Sequence, residues 1–304
     1  WVLLIVFGVW WFQPAHVGTP VGLVFNSVVV WFMLLIPAGF VFRLRGLRRV
    51  RRDLPLPDVR VAMITTRAPS EPFSEVRPTL EAILAEDTAL PYDAWLADEA
   101  PPEEVLAWCT DHGVRVSTRQ GVEAYHRSEW PRRTRCKEGN LAWFYDTHGY
   151  ADYDIVGQFD CDHVPSPDYL EAILRPFSDP RVGYVAAPSI CDLNRAESWS
   201  GRGRLFAEAH IHGPFQLSHN GGLTPTCIGS HYAVRTSALA RAGGLGPELA
   251  EDFSTSYVIR LTGSDGVFAV DALARGQGPP TFAAMITQEF QWTRSLVVLF
   301  LGLV

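Results

Sequence analysis

No charged residue interrupts the chain from Val21 to Phe42. As an α-helix this run would extend about 33 Å, enough to cross the hydrocarbon core of a bilayer. Trp1 to Phe12 is also apolar, and Gln13 to Pro20 reads as a short loop between the two. A cleaved signal peptide has a shorter apolar core and a small-residue cleavage site. A buried hairpin of a soluble protein would carry a polar stripe. Neither pattern is present, so the expectation is a membrane anchor of two helices. The first is expected to be cut at its start, because the chain opens on Trp1 rather than Met. Ser295 to Val304 is apolar again and reads as the start of a further span.

Charge gives the orientation. Arg43, Arg45, Arg48, Arg49, Arg51 and Arg52 follow the long apolar run directly. Arginines clustered beside a span mark its cytoplasmic side and can contact anionic headgroups. The net charge of the whole chain is −7, which argues against a nucleic-acid partner. The body, from about Leu54 onward, is therefore expected in the cytosol, on the inner face of the plasma membrane. The five cysteines form no Cys-x-x-Cys pair, so a zinc or redox site has no support.

Within the body, β-branched apolar runs alternate with segments of helical periodicity. Strands are predicted at Val59–Thr66, Ala94–Ala97, Val114–Ser117, Ile155–Phe159, Val182–Ala187 and Tyr232–Arg235. Helices are predicted at Glu71–Glu86, Glu103–His112, Glu138–His148, Pro167–Phe177 and Phe253–Leu261. Gly149 is expected to end the third helix. Arg119 to Arg135 is polar and aperiodic and reads as a loop. Ser198–Leu217 fits either a helix along the membrane surface or an ordinary core-facing one. Alternation of this kind implies crossover connections and a mostly parallel sheet, with ligands bound beyond the strand carboxyl ends.

Three candidate segments fall at such ends: Thr65-Thr66, Asp98-Glu99 and Asp160-Cys161-Asp162. In an extended segment, alternate residues point the same way, so Asp160 and Asp162 can face one hard divalent cation. His163 beside them could join the shell or hydrogen-bond within the loop.

From about Val59 to Arg294 the chain resembles the processive, membrane-embedded family-2 glycosyltransferases, which include the cellulose, chitin and hyaluronan synthases. Thr65-Thr66 with Glu71-Pro72 is similar to Thr-Thr-Tyr-Asn-Glu-Pro, although Arg67-Ala68 replaces Tyr-Asn and two residues are inserted. Lys137-Glu138-Gly139-Asn140-Leu141 resembles Lys-Ala-Gly-Asn-Leu. Asp160 to Pro165 resembles Asp-Ala-Asp-His-Val-Pro, and Ala250-Glu251-Asp252 resembles Thr-Glu-Asp. Gln288-Glu289-Phe290-Gln291-Trp292 resembles Gln-x-x-Arg-Trp, with Gln291 in place of Arg and Arg294 one helical turn on.

The resemblance implies a GT-A-like α/β fold, with a mostly parallel mixed sheet and flanking helices inserted between transmembrane helices. It divides the chain into 1–53 (transmembrane helices and basic juxtamembrane segment), 54–282 (cytosolic glycosyltransferase domain) and 283–304 (interfacial helix and start of a further span). It implies an inverting transfer of a sugar from a nucleotide-sugar, with UDP favoured, to a growing polysaccharide or lipid-linked acceptor. Asp252 would be the general base. Asp160, Asp162 and His163 would hold Mg²⁺ or Mn²⁺ against the diphosphate. Thr65, Thr66, Glu71, Asp98, Lys137, Asn140, Asp160, Gln288, Gln291 and Arg294 would contact the donor. Trp292, Gly229, Ser230 and Glu251 would contact the acceptor.

Two other readings compete. Asp160-x-Asp162-x-Val164 also fits an aspartyl-phosphate phosphatase with Asp160 as nucleophile, but that site normally opens its domain and takes a lysine downstream. Here the only lysine, Lys137, lies upstream. The loss of an arginine at Gln291 would suit a catalytically degenerate, membrane-tethered sugar-binding protein.

Overall fold

The structure, a computed structural model, describes residues 2–303. Ten strands occur in chain order: β1 (Val61–Arg67), β2 (Tyr92–Asp98), β3 (Arg115–Thr118), β4 (Ile155–Phe159), β5 (Val164–Pro165), β6 (Val182–Ala186), β7 (Ser189–Ile190), β8 (His231–Arg235), β9 (Asp265–Phe268) and β10 (Ala274–Arg275). Seven form the main sheet in the order β3-β2-β1-β4-β8-β6-β9; β5, β10 and β7 form a small second sheet. Every residue of β1 is buried, as its apolar and β-branched sequence requires of a central strand. Its side chains alternate between two apolar layers, one on each face of the sheet. Val61 and Met63 join Leu80, Ile83 and Phe159; Ala62 and Ile64 join Trp95, Phe144 and Tyr232.

One strand departs from the parallel pattern. In the main sheet β8 runs antiparallel to both β4 and β6, while the remaining neighbours pair in parallel. This direction decides what the site contains. Parallel strands bring their carboxyl ends to one edge, whereas an antiparallel strand brings the segment before its own start. Phe159 pairs with His231, and the Asp160 amide donates to the Ser230 carbonyl at 2.8 Å. Gly229-Ser230 therefore lies beside Asp160.

Most predicted helices form with shifted ends. Helix Phe73–Leu84 buries Val76, Thr79, Leu80 and Ile83 at helical spacing. Gly149 does not end the helix that begins at Lys137, which passes through a π-turn at Tyr145–Gly149 and continues to Asp152. A Cβ on Gly149 would lie 2.6 Å from the Tyr145 ring, so the glycine serves close packing rather than termination. The loop at 119–135 holds one short 3₁₀ turn, Glu123–Tyr125, but it is not merely solvated, because Arg119 within it is fully buried.

Among the described residues, one helix is long and apolar enough to cross a membrane, Pro20–Leu44, with mean hydropathy 2.2 and an exposed surface. It widens into a π-turn at Trp31–Leu35, just before Pro37, whose ring and missing N–H disrupt the preceding turn. Val2–Trp11 is apolar but short. Phe282–Leu303 is a single helix carrying Glu289 and Arg294, with no break between the expected interfacial segment and the expected span; Val304 lies outside the described residues. Among the described residues, no second helix reaches the length and hydropathy of a membrane span. The basic segment docks on the body rather than facing lipid alone. Arg49 and Arg52 pair with Asp271, Arg51 pairs with Asp53, and Arg43 lies over the Phe215 ring at 4.7 Å.

Candidate active site

A cavity of about 300 Å³ opens at the carboxyl edge of the main sheet, lined among others by Thr66, Arg67, Glu71, Lys137, Asp160 and Asp162. β1 supplies the first two side chains and the turn after β4 the two aspartates. Helix Lys137–Phe144 supplies its first residue.

Asp160, Asp162 and His163 each offer a ligand atom within 4.8 Å of the others. Two carboxylates suit a hard cation such as Mg²⁺ or Mn²⁺. The His163 ring already has a partner at each nitrogen: Nδ1 meets Asp162 Oδ1 at 2.8 Å and Nε2 meets Ser189 Oγ at 3.1 Å. Burial lowers the His163 pKa, but the hydrogen bonds to Asp162 and Cys191 and the charges of Asp162 and Asp160 outweigh it and bring it to about 10. Burial likewise raises Asp162, yet the His163 hydrogen bond and charge hold it below the usual carboxylate range. The donor set thus fits a cation on the aspartates, with the imidazole holding Asp162. Gly276 backs this ring closely; a Cβ there would lie 2.3 Å from Cε1.

Lys137 joins the two halves of the site. Its Nζ lies 2.6 Å from Asp160 Oδ1 and 2.5 Å from the Gly229 carbonyl oxygen, and 4.0 Å from Glu251 Oε1. Burial would lower its pKa, but the charges of Asp160 and Glu251 raise it overall, so the ammonium is retained. Gly229 touches the other half directly, since a Cβ on it would sit 3.3 Å from Asp252 Oδ2. Helix Glu251–Leu261 starts one residue before the expected base, so Asp252 lies in the first turn rather than capping it. The helix start is pinned from outside, where the Ala250 amide donates to Ser295 Oγ at 2.9 Å. Burial raises the pKa of both Glu251 and Asp252, and the charge of Asp160 adds to the rise; Lys137 opposes it.

The remaining expected residues divide. Thr65 is buried, with Oγ1 donating to the Phe159 carbonyl at 3.4 Å, while Thr66 reaches the cavity. Asn140 is scaffold as well as neighbour: Oδ1 accepts from Arg119 Nε at 2.7 Å and Nδ2 donates to the Arg67 carbonyl at 3.0 Å. Glu71 Oε2 accepts from the Ala68 amide at 2.6 Å. Asp98 is fully buried against Arg67. Ser230 lies at the β4–β8 crossing, its Oγ buried without a partner. Gln288, Gln291, Trp292 and Arg294 stand outside the cavity. Gln288 and Trp292 instead gather on the buried Arg204, whose guanidinium lies 4.6 Å above the indole and pairs with Glu208 and Glu289.

Two positions escaped sequence reasoning. Arg119 gathers Glu99, Asn140 and the Tyr125 and Arg133 carbonyls around one buried guanidinium. Arg204 does the same for Glu208, Gln288, Glu289 and Trp292, outside the cavity. Arg119 sits in a polar stretch without periodicity and Arg204 on a segment that fits either an interfacial or a core-facing helix, and neither context distinguishes a buried arginine from a solvated one.

Residues 45–295 match the family model described as "Glycosyltransferase like family 2". The chain is 24% identical over 311 residues to the UDP-forming cellulose synthase catalytic subunit of Xanthomonas axonopodis pv. citri, covering 95% of this chain and 40% of that protein. It is 25% identical over 215 residues to cellulose synthase 1 of Komagataeibacter xylinus, covering 66% and 13%. It therefore spans well under half the length of these curated relatives. Among solved structures it is similar to a mannosyltransferase from Pyrobaculum calidifontis in complex with GDP-Man and Mn²⁺, with TM-score 0.65, 18% identity and coverage of 89% and 72%. It is also similar to glucosyl-3-phosphoglycerate synthase from Mycobacterium tuberculosis in complex with Mn²⁺, UDP and phosphoglyceric acid, with TM-score 0.52, 14% identity and coverage of 81% and 78%. At these identities the likeness shows the fold, a GT-A-like α/β arrangement with a mixed sheet and flanking helices.

Proposed function

Because the chain belongs to glycosyltransferase family 2 and is of the cellulose synthase type, we propose that it transfers a sugar, with inversion, from a nucleotide-sugar to a hydroxyl of a polysaccharide or lipid-linked acceptor at the cytosolic face of a membrane. Residues 1–53 would anchor it, 54–282 would carry the reaction, and 283–304 would lie at the interface and enter the bilayer. Asp160 and Asp162 would hold Mg²⁺ or Mn²⁺, oriented through His163. When bound, that ion neutralises the departing diphosphate as a Lewis acid.

The chain's own residues do the rest. Thr66 and Arg67 line the donor cavity. Lys137 brings a second positive charge to the diphosphate end while fixing Asp160 and the Gly229 carbonyl. Asp252 takes the proton of the attacking hydroxyl as general base. Glu251, buried beside it, would hydrogen-bond the acceptor. Trp292, held under Arg204, offers a sugar-stacking face.

One observation carries this reading. Gly229 accepts from Lys137, which grips Asp160, and packs against Asp252, so the ion-binding carboxylates and a carboxylate suited to proton removal meet across a single residue. The test is Asp252→Asn in membranes. Binding of UDP with Mn²⁺ should persist while sugar transfer falls by a factor of about 10²–10⁴. Undiminished transfer would refute the assignment. The phosphatase alternative draws no support from the chain, which matches the family-2 glycosyltransferase model over residues 45–295.

A further inference from the structure

Part of the cavity lining rests on a buried ion pair, and what it offers to a ligand differs from what the sequence suggested. β1 ends at Arg67 and β2 at Asp98, and these two residues are in register. Asp98 is fully buried. Its Oδ2 accepts from Arg67 Nη1 at 2.7 Å and its Oδ1 from the Ala100 amide at 3.0 Å. No part of Asp98 is left to meet a nucleotide. Arg67 lies over it and lines the cavity. Its Nε donates to the Glu71 carbonyl at 2.9 Å, and Nη2 donates to no described group. The polar feature here is thus a guanidinium fixed by Asp98 and Glu71, with N–H donors unspent.

A nucleoside diphosphate is a linear ligand. With its diphosphate at Asp160, Asp162 and Lys137, its base would lie elsewhere in the same cavity, which Arg67 also lines. We propose that Arg67 selects the base of the donor by donating to an exocyclic carbonyl, O4 of uracil or O6 of guanine. Cytosine and adenine carry amino groups at those positions, which would face the guanidinium donor to donor. Asp98 is a positioning residue that holds the fork. The inference rests on the donor reading above and adds the residue that reads the base.

The test is competition binding to the full chain in detergent with Mn²⁺ present, using UDP, GDP, CDP and ADP. UDP or GDP should bind about tenfold or more tightly than CDP and ADP. The double variant Arg67→Gln with Asp98→Asn replaces the ion pair by a neutral hydrogen-bonded one, which avoids an unpaired buried charge. It should compress the preference to within about threefold while Mn²⁺ binding is unchanged. Arg67→Lys keeps the charge without the planar fork and should also narrow it. The inference is overturned if the wild type takes CDP or ADP as tightly as UDP and GDP, or if the preference survives in either folded variant. Failure of all four nucleotides to bind would overturn the donor reading too, so the two failures are distinguishable.

Discussion

Gly276 tests the link between His163 and the ion-binding aspartates without changing either. A Cβ at this position would lie 2.3, 2.4 and 2.7 Å from Cε1, Nε2 and Nδ1 of His163. Carbon atoms in contact sit about 3.5–4.0 Å apart, so in Gly276→Ala the ring or the backbone must move by roughly 1 Å. The two ring hydrogen bonds, 2.8 Å to Asp162 and 3.1 Å to Ser189, do not survive such a shift of the imidazole. Loss of a group that orients an ion-binding residue typically weakens metal affinity by about 10–100-fold. That range equals about 1.4–2.7 kcal/mol, in line with one hydrogen bond to a charged group. The assay is Mn²⁺ titration by electron paramagnetic resonance in the presence of UDP, with a melting curve to establish folding. A folded Gly276→Ala protein whose Mn²⁺ affinity is unchanged would refute the claim that His163 sets the position of Asp162. His163→Gln should give a loss of the same size if the ring acts as an orienting group.

With Asp252 as the proposed base, the pH dependence of transfer follows from its pKa, which burial raises to about 6. A general base works only when ionised, so the rate should rise with pH through about 6 and level above it; a pH–rate profile whose acid limb stays near 4 would contradict this. Glu86 supplies a stability prediction. Burial raises its folded-state value to about 8, and one of its oxygens has no partner. That value exceeds the unfolded one of about 4.3, so the protonated carboxyl's contribution is complete below pH 4 and is lost as pH rises through about 8. Glu86→Gln should accordingly melt at the same temperature as wild type at pH 4 and a few degrees higher at pH 8.5; equal melting at both would show the carboxyl is not held protonated.

The sequence made the parallel half of the sheet legible because β1 and β4 are apolar on both faces, and an apolar run ending in Asp160-Cys161-Asp162 marks its own carboxyl end. It could not give the direction of β8. His231–Arg235 reads as a strand in either orientation, and only pairing with β4 decides it. Yet that direction brings Gly229 to Lys137 and Asp252. Gly149 misled for a related reason. It reads as a helix end, whereas it leaves room for the Tyr145 ring one turn away; Gly276, which no motif marks, does the same for the ring of His163, distant in sequence. Arg67 is the sharpest case. As a departure from a resembling motif it reads as a loss, and only the register of β1 with β2 shows that its guanidinium covers Asp98.

The charge balance of the site predicts how the donor enters. Glu71, Asp160, Asp162, Glu251 and Asp252 are five carboxylates, set against Lys137 and the cationic His163. Burial raises Glu71, Glu251 and Asp252, and the neighbouring carboxylate charges of Asp160 and, for Glu71, Asp162 add to the rise. A free diphosphate would add to that excess. At a separation on the order of 6 Å and an effective dielectric near 20, each like-charge pair costs about 3 kcal/mol. A divalent ion on Asp160 and Asp162 would offset most of that excess beside the phosphates. Nucleoside diphosphate and cation should therefore bind as one ligand, with little affinity for either alone. Isothermal titration of UDP should show a loss of at least about 100-fold when Mn²⁺ is removed with EDTA, equal to about 2.7 kcal/mol. Restoring Mg²⁺ should recover most of it. Equal UDP affinity with and without the ion would mean that Lys137 alone holds the diphosphate, and the two aspartates would then need another role.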